Sequence, residues 1–112
     1  MATAYKVLGQ SNPTASTETT LYTVPSATSA VVSTITVTNT EDKGQTYRIA
    51  VKKSADAGNA TVTSQYIAYE AIIYGYDTVA ITTGLTLATG DIITVYTTGS
   101  YVAFQAFGSQ IS

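Results

Sequence analysis

Nine tyrosines and seven carboxylates are the side chains of this 112-residue chain best equipped to bind or react. Tyr66, Tyr69, Tyr74 and Tyr76 fall within eleven positions. Tyrosine is an amphipathic anchor, enriched at protein interfaces and useful as a platform for sugar rings. Three roles stay open for this cluster: core of a small sandwich, subunit contact, or glycan platform. The absence of Trp weighs against the last. The carboxylates are Glu18, Glu41, Asp42, Asp56, Glu70, Asp77 and Asp91. A glycosidase needs two of them across a cleft at a defined separation. All but Glu70 sit in or beside expected turns, where Asp is recruited to hydrogen-bond the backbone, so no catalytic pair is expected.

The missing residue types exclude more. With no His and no Cys, the chain has no imidazole or thiolate metal site, no disulfide and no Cys or His nucleophile. A serine nucleophile would need a lysine or carboxylate base, and none of the four lysines stands in a Ser-x-x-Lys arrangement. Glu41, Asp42 or Asp77 could offer oxygens to calcium, but no dense Asp/Asn/Gly loop surrounds them. The glycines are scattered one per turn, which gives no phosphate cradle. The expectation is a non-enzymatic protein without cofactor or metal.

Charged residues make up 11% of the chain, and the net charge is −2. Five cations give little reason to bind nucleic acid. The one adjacent pair, Lys52-Lys53, reads as a solvated strand end. No apolar run is long enough for a transmembrane helix. Met1 to Lys6 lacks a cationic stretch leading into an apolar one, so no secretory leader is expected. Asn59-Ala60-Thr61 fits the glycosylation sequon and reads as a chance match in so threonine-rich a chain.

Hydroxyls stand where the charge is missing: 22 Thr and 10 Ser. Thr and Val are stiff at the first side-chain torsion and suit a pleated surface. In Ala30 to Asn39 the odd positions Val31, Ser33, Ile35 and Val37 alternate with Thr34, Thr36 and Thr38. Gln45 to Lys53 sets Tyr47, Ile49 and Val51 against Thr46, Arg48 and Lys52. Glu41-Asp42-Lys43-Gly44 between these runs reads as a hairpin turn. Ser54 to Thr63 reads as a loop. In Ser64 to Tyr74, Ile67, Tyr69, Ala71 and Ile73 form one face, and Tyr66, Ala68, Glu70, Ile72 and Tyr74 the other. Strands are further expected at Ala4 to Leu8, Thr19 to Val24, Asp77 to Thr83, Ile92 to Tyr96 and Tyr101 to Phe107. About eight short, regularly spaced strands without a helical pattern predict one all-β domain over 1–112, a β-sandwich or jelly-roll-like fold. Gln10 to Thr20, which contains Asn12 and Pro13, holds little core material. It is either a surface loop or an extended crossing that lies on a neighbouring subunit.

These strands also resemble a family. Ala4–Gln10, Leu21–Pro25, Val31–Ile35, Tyr47–Val51, Gly84–Leu87, Gly90–Tyr96 and Phe104–Gly108 resemble small virion structural proteins of tailed bacteriophages, particularly phages of cyanobacteria. The run Leu85-x-Leu87-x-x-Gly90-Asp91-x-x-x-Val95 is similar to a late-strand signature of trimeric tumour necrosis factor-type jelly rolls. The resemblance implies a sandwich subunit on the virion, a capsid decoration (cement) protein first and a tail, baseplate or fibre component second. It implies self-association, with a trimer as the expected order, and contact with the major capsid protein or other virion proteins. It transfers no catalytic residue. Tyr66, Tyr69, Tyr74, Tyr76, Asn12 and Pro13 are the expected interface residues, and a glycan-binding adhesion module is the rival reading.

Overall fold

The computed structural model describes residues 2–112; Met1, the first residue of the segment read for a leader, lies outside the described residues. Among the described residues, eight strands form: β1 (Thr3–Ser11), β2 (Thr19–Thr23), β3 (Ser29–Asn39), β4 (Gln45–Lys52), β5 (Tyr66–Ile73), β6 (Thr78–Leu87), β7 (Ile92–Thr97) and β8 (Val102–Ile111). Two single-turn 3-10 segments, Ser54–Asp56 and Thr63–Gln65, interrupt the β4–β5 connection. Among the described residues, no helix is long and apolar enough to cross a membrane.

The strands make two four-stranded antiparallel sheets, ordered β1-β8-β3-β6 and β2-β7-β4-β5. β1 pairs with β8, β2 with β7, β3 with β6 and β4 with β5. The chain is therefore one long antiparallel ribbon, folded back at 53–65 and rolled so that β3–β8 and β4–β7 pairings complete the sheets. This is the jelly-roll solution to closing an all-β domain. Rolling brings the termini together: Ala2 and Ser112 exchange backbone hydrogen bonds of 2.8 and 2.9 Å.

Glu41 to Gly44 is not a hairpin turn, because β3 and β4 belong to different sheets. Every consecutive pair of strands except β4–β5 changes sheet. A polar Gly-containing turn has the same chemistry whether the next strand pairs with the last or crosses the core. The Gln10–Thr20 segment is strand at both ends. Gln10 and Ser11 extend β1, Thr19 and Thr20 open β2, and the residues between them pack on their own subunit, with Ser16 N bonded to Thr97 O at 2.8 Å.

The core lies between the sheets. Val32, Ile35, Val37, Phe104 and Ala106 from the first sheet meet Ile49, Ile93 and Val95 from the second, all sealed from solvent. The Phe104 ring meets Tyr47 edge-on at 6.2 Å. Outward on the first sheet, Thr34, Thr36 and Thr38 lie beside Thr82, Ala80 and Thr78 across the β3–β6 pair, and the Thr38 and Thr78 hydroxyls sit 3.3 Å apart. Part of the threonine excess forms this outward surface, while Thr94 and Thr97 are buried.

Strict alternation fails where strands bulge. β3 gains an extra residue at Ser33, between Val32 and Thr34, against β8, whereas against β6 Ser33 faces two residues, Thr83 and Gly84. Val32 is consequently buried, Ser33 is exposed, and Val31 is only half-buried, the reverse of simple period-2 phasing. Leu8 bulges β1 at the same level, and Thr83–Gly84 bulges β6, where Gly84 takes φ +71°. A Cβ at Gly84 would meet open space, so its backbone conformation, not crowding, calls for glycine there. In the second sheet, β2 bulges at Leu21 and β5 is irregular twice. All four edge strands, β1, β6, β2 and β5, are bulged.

Candidate functional site

The tyrosines divide by position. Tyr22 and Tyr47 are buried in the core, Tyr66 and Tyr96 are half-buried, and Tyr5, Tyr69, Tyr74, Tyr76 and Tyr101 are exposed. The β5 bulge produces much of this partition. Tyr47 pairs with Ala71 and Ile49 with Ala68, so Tyr69 and Glu70 together oppose Arg48. Glu70 takes φ +52°, a left-handed conformation uncommon for a residue with a Cβ. The phase of β5 flips there: Ala71 and Ile73 point inward, whereas Ile67 and Tyr69 are exposed. The single face of Ile67, Tyr69, Ala71 and Ile73 expected from alternation is therefore split in two.

Arg48 is the hub of the outer face so created. Its guanidinium carbon lies 4.6 Å from the Tyr69 ring centre and 4.3 Å from that of Tyr96. It forms an ion pair with Glu70, which also accepts from the Thr46 hydroxyl at 2.9 Å. The Thr46 hydroxyl and the Arg48 guanidinium hold the Glu70 carboxyl below the usual carboxylate range, and Glu70 raises Arg48 in return. A carboxylate with a lowered folded pKa stabilises the fold above its unfolded pKa. That contribution disappears as pH falls through the folded value. The melting temperature of Glu70→Gln should therefore lie below wild type at neutral pH and converge with it in acid. Melting curves measured across pH check this; parallel curves would count against it.

Tyr66 meets Tyr69 edge-on, with ring centres 4.8 Å apart. The two rings and Thr61, Val62 and Thr63 line a groove of about 800 Å³, larger than the depressions beside Tyr5 (about 490 Å³) and Ser112 (about 580 Å³). The far wall of the groove is the β4–β5 connection, folded back over the sheet. Glu18 Oε2 accepts from Thr61 Oγ1 at 2.6 Å and from Thr94 Oγ1 at 3.3 Å, and Glu18 Oε1 faces Lys52 Nζ at 3.5 Å. Lys52 Nζ donates to Asn59 O at 2.7 Å. Lys52 is 3% exposed, so the solvated strand end expected for Lys52-Lys53 holds only for Lys53. A buried ammonium is tolerated because a carboxylate and a carbonyl replace its water.

A second aromatic group occupies the end of the sandwich formed by the 12–18, 40–44, 74–77 and 98–101 connections. Tyr74, Tyr76 and Tyr101 are exposed there. Their backbones are tied to one loop: Tyr76 N donates to Glu41 O, and Thr40 N donates to Tyr101 O, both at 2.9 Å. Buried Asn39 organises this end. Its Nδ2 donates to Lys43 O (2.7 Å) and Tyr74 O (3.3 Å), its Oδ1 accepts from Glu41 N (3.1 Å), and its own N donates to Asp77 O (2.9 Å). Tyr76 is held at φ +57°.

Of the residues expected at an interface, Tyr69, Tyr74 and Tyr76 are open to a partner, and Tyr66 is half-open. They form two groups, not one. Asn12 is exposed but occupied: its amide nitrogen, turned toward the Ser100 and Val102 carbonyls, lies 2.9 and 3.1 Å from them. Pro13 is buried within its own subunit. Tyr96, Tyr101 and Asn39 belong to these sites without a sequence pattern that marks them. Arg48 carried a signal, since it falls at an outward position of an alternating strand as the only arginine of the chain.

Three carboxylates have turn or pairing roles. Asp91 accepts from Ser54 N and Ala88 N, Asp77 from its neighbour Thr78 N, and Glu41 from Gln45 Nε2. Among the described residues, no three metal-ligating side chains converge. No protein-family model, no curated protein and no solved structure matches this chain.

Proposed function

We propose that this protein is a structural subunit of a phage virion, a capsid decoration protein that self-associates and stabilises the shell by bridging its subunits. The observation that carries this reading is the exposed aromatic end, Tyr74, Tyr76 and Tyr101, mounted on loops that Asn39 and backbone hydrogen bonds hold in place. Exposed tyrosines on a preorganised support make strong contacts, because little side-chain and loop freedom is lost on binding. The jelly roll is an architecture used in viral capsid domains. A small domain gains apolar burial and mass-action stabilisation from assembly. The resemblance of the strands to small virion proteins points the same way.

The test is to mix the protein with undecorated capsids. Co-sedimentation and a raised capsid melting temperature are expected, and failure of both would overturn the cement reading. Antibody label confined to tails would move the protein to the tail instead. Tyr74→Ala and Tyr76→Gly should each weaken assembly by about 30-fold, a contact worth about 2 kcal/mol. The isolated subunit should melt no lower in Tyr76→Gly, because glycine relieves the left-handed backbone. Sedimentation and melting together separate contact from core: unchanged oligomers with a lower melting point would refute the contact role.

A further inference from the structure

We infer that the groove between the 61–63 wall and the Tyr66–Tyr69 pair is a binding site for a neutral oligosaccharide, separate from the contact surface at the Tyr76 end. Several independent features meet there. The groove has about 800 Å³, within the range of small-ligand sites. Its floor is aromatic, with Tyr69 58% exposed and its ring fixed against Arg48 and Tyr66. Glu70, beside it, is one of the few non-glycine residues held at positive φ. Strain of this kind persists where the surroundings over-determine it and gathers at binding sites.

The chemistry of the lining selects the ligand class. Arg48, which stacks on Tyr69, is ion-paired with Glu70 and also packed on Tyr96, so it offers little to an anion. The groove itself is lined by two hydroxyls, Thr61 and Thr63, one valine and two phenols, with no charged side chain among them. Aromatic faces take the apolar C–H faces of a sugar ring, while hydroxyls meet its hydroxyls. The far wall is held ready: Val62 N donates to Gln65 Oε1 at 2.9 Å, Gln65 N donates back to Val62 O at 3.0 Å, and Glu18 holds Thr61. A preformed wall lowers the ordering cost of binding.

The experiment is an array of neutral hexose and N-acetylhexosamine oligosaccharides, with sialylated and sulfated glycans as charged controls, probed with the full-length protein. Retention of one or more neutral glycans is expected. Tyr66→Ala and Tyr69→Ala should each lower that retention by about tenfold, the scale of one aromatic contact. Thr63→Val should lower it without changing the melting temperature, which guards against misfolding of the tyrosine variants. Tyr76→Ala should leave it unchanged, so the site and the assembly surface fail separately. The inference is overturned if no neutral glycan is retained, if only charged glycans are, or if binding survives the Tyr66→Ala/Tyr69→Ala double variant.

Discussion

Replacing Phe104 with alanine should lower the unfolding free energy by about 4 kcal/mol and the melting temperature by about 20 °C. Phe104 heads the fully buried side chains by volume. It lies on β8, the strand paired with both β1 and β3, opposite Ser11 on one side and Val37 on the other. Its ring reaches across to Tyr47 of the opposite sheet. Truncation leaves a void that neither sheet can collapse into without breaking its own ladder, so the cavity cost adds to the lost transfer free energy. For a domain whose total stability is about 5–15 kcal/mol, that loss is a large fraction of the whole. Phe107, three residues on and only half-buried, is the control and should cost about 1 kcal/mol as alanine. Denaturant unfolding measures both; a Phe104→Ala loss below that of Phe107→Ala would refute this account of the core.

Asn39→Ala should cost about 2–4 kcal/mol, a large effect for a polar residue. Asn39 is 1% exposed, and the alanine variant strands two backbone groups beside it, Lys43 O and Glu41 N, while Tyr74 O keeps Asp77 N at 3.2 Å. Each buried group left without a partner carries its full desolvation penalty. The damage is directional as well as large. Asn39 lies where the 40–44 and 74–77 loops meet, so its loss should loosen Tyr74 and Tyr76 before it unfolds the sheets. Amide hydrogen exchange separates the two. Faster exchange at Glu41 and Tyr76, with β3 and β8 still protected, is the expected pattern. A variant that melts within 2 °C of wild type, about half a kcal/mol by the usual scaling, would overturn the hub role.

Much of the fold is legible in the sequence because burial on one side of a strand writes itself as period-2 alternation. Thr34, Thr36 and Thr38 against Ile35 and Val37 announce a half-buried strand, and the eight-strand all-β architecture follows from repeating that pattern. Three features are not written there. A bulge leaves no signature beyond a small shift of phase, so Ser33 and Glu70 pass for ordinary strand residues until their neighbours are known. A turn does not declare its destination, so Glu41 to Gly44 reads as a hairpin although the chain crosses to the other sheet. Burial by a distant segment is silent too. Lys52 is covered because the connection after it folds back, and Glu18, far away in sequence, supplies its counter-charge. The candidate site depends on all three. Its tyrosines stand out by number, but their division into a groove and a loop end is set by the β5 bulge and by the sheet crossings.

The bulges on β1, β2, β5 and β6 carry a consequence at high concentration. An unbroken edge strand is a template on which another chain adds by hydrogen bonding, and repetition of that step grows a cross-β fibre without end. Here each such edge is interrupted within its own length, so the register a newcomer would need is lost after a few residues. Any contact between crowded copies is thus steered away from backbone edges and toward side-chain surfaces. The backbone of this protein thereby opposes fibre growth at its own sheet edges.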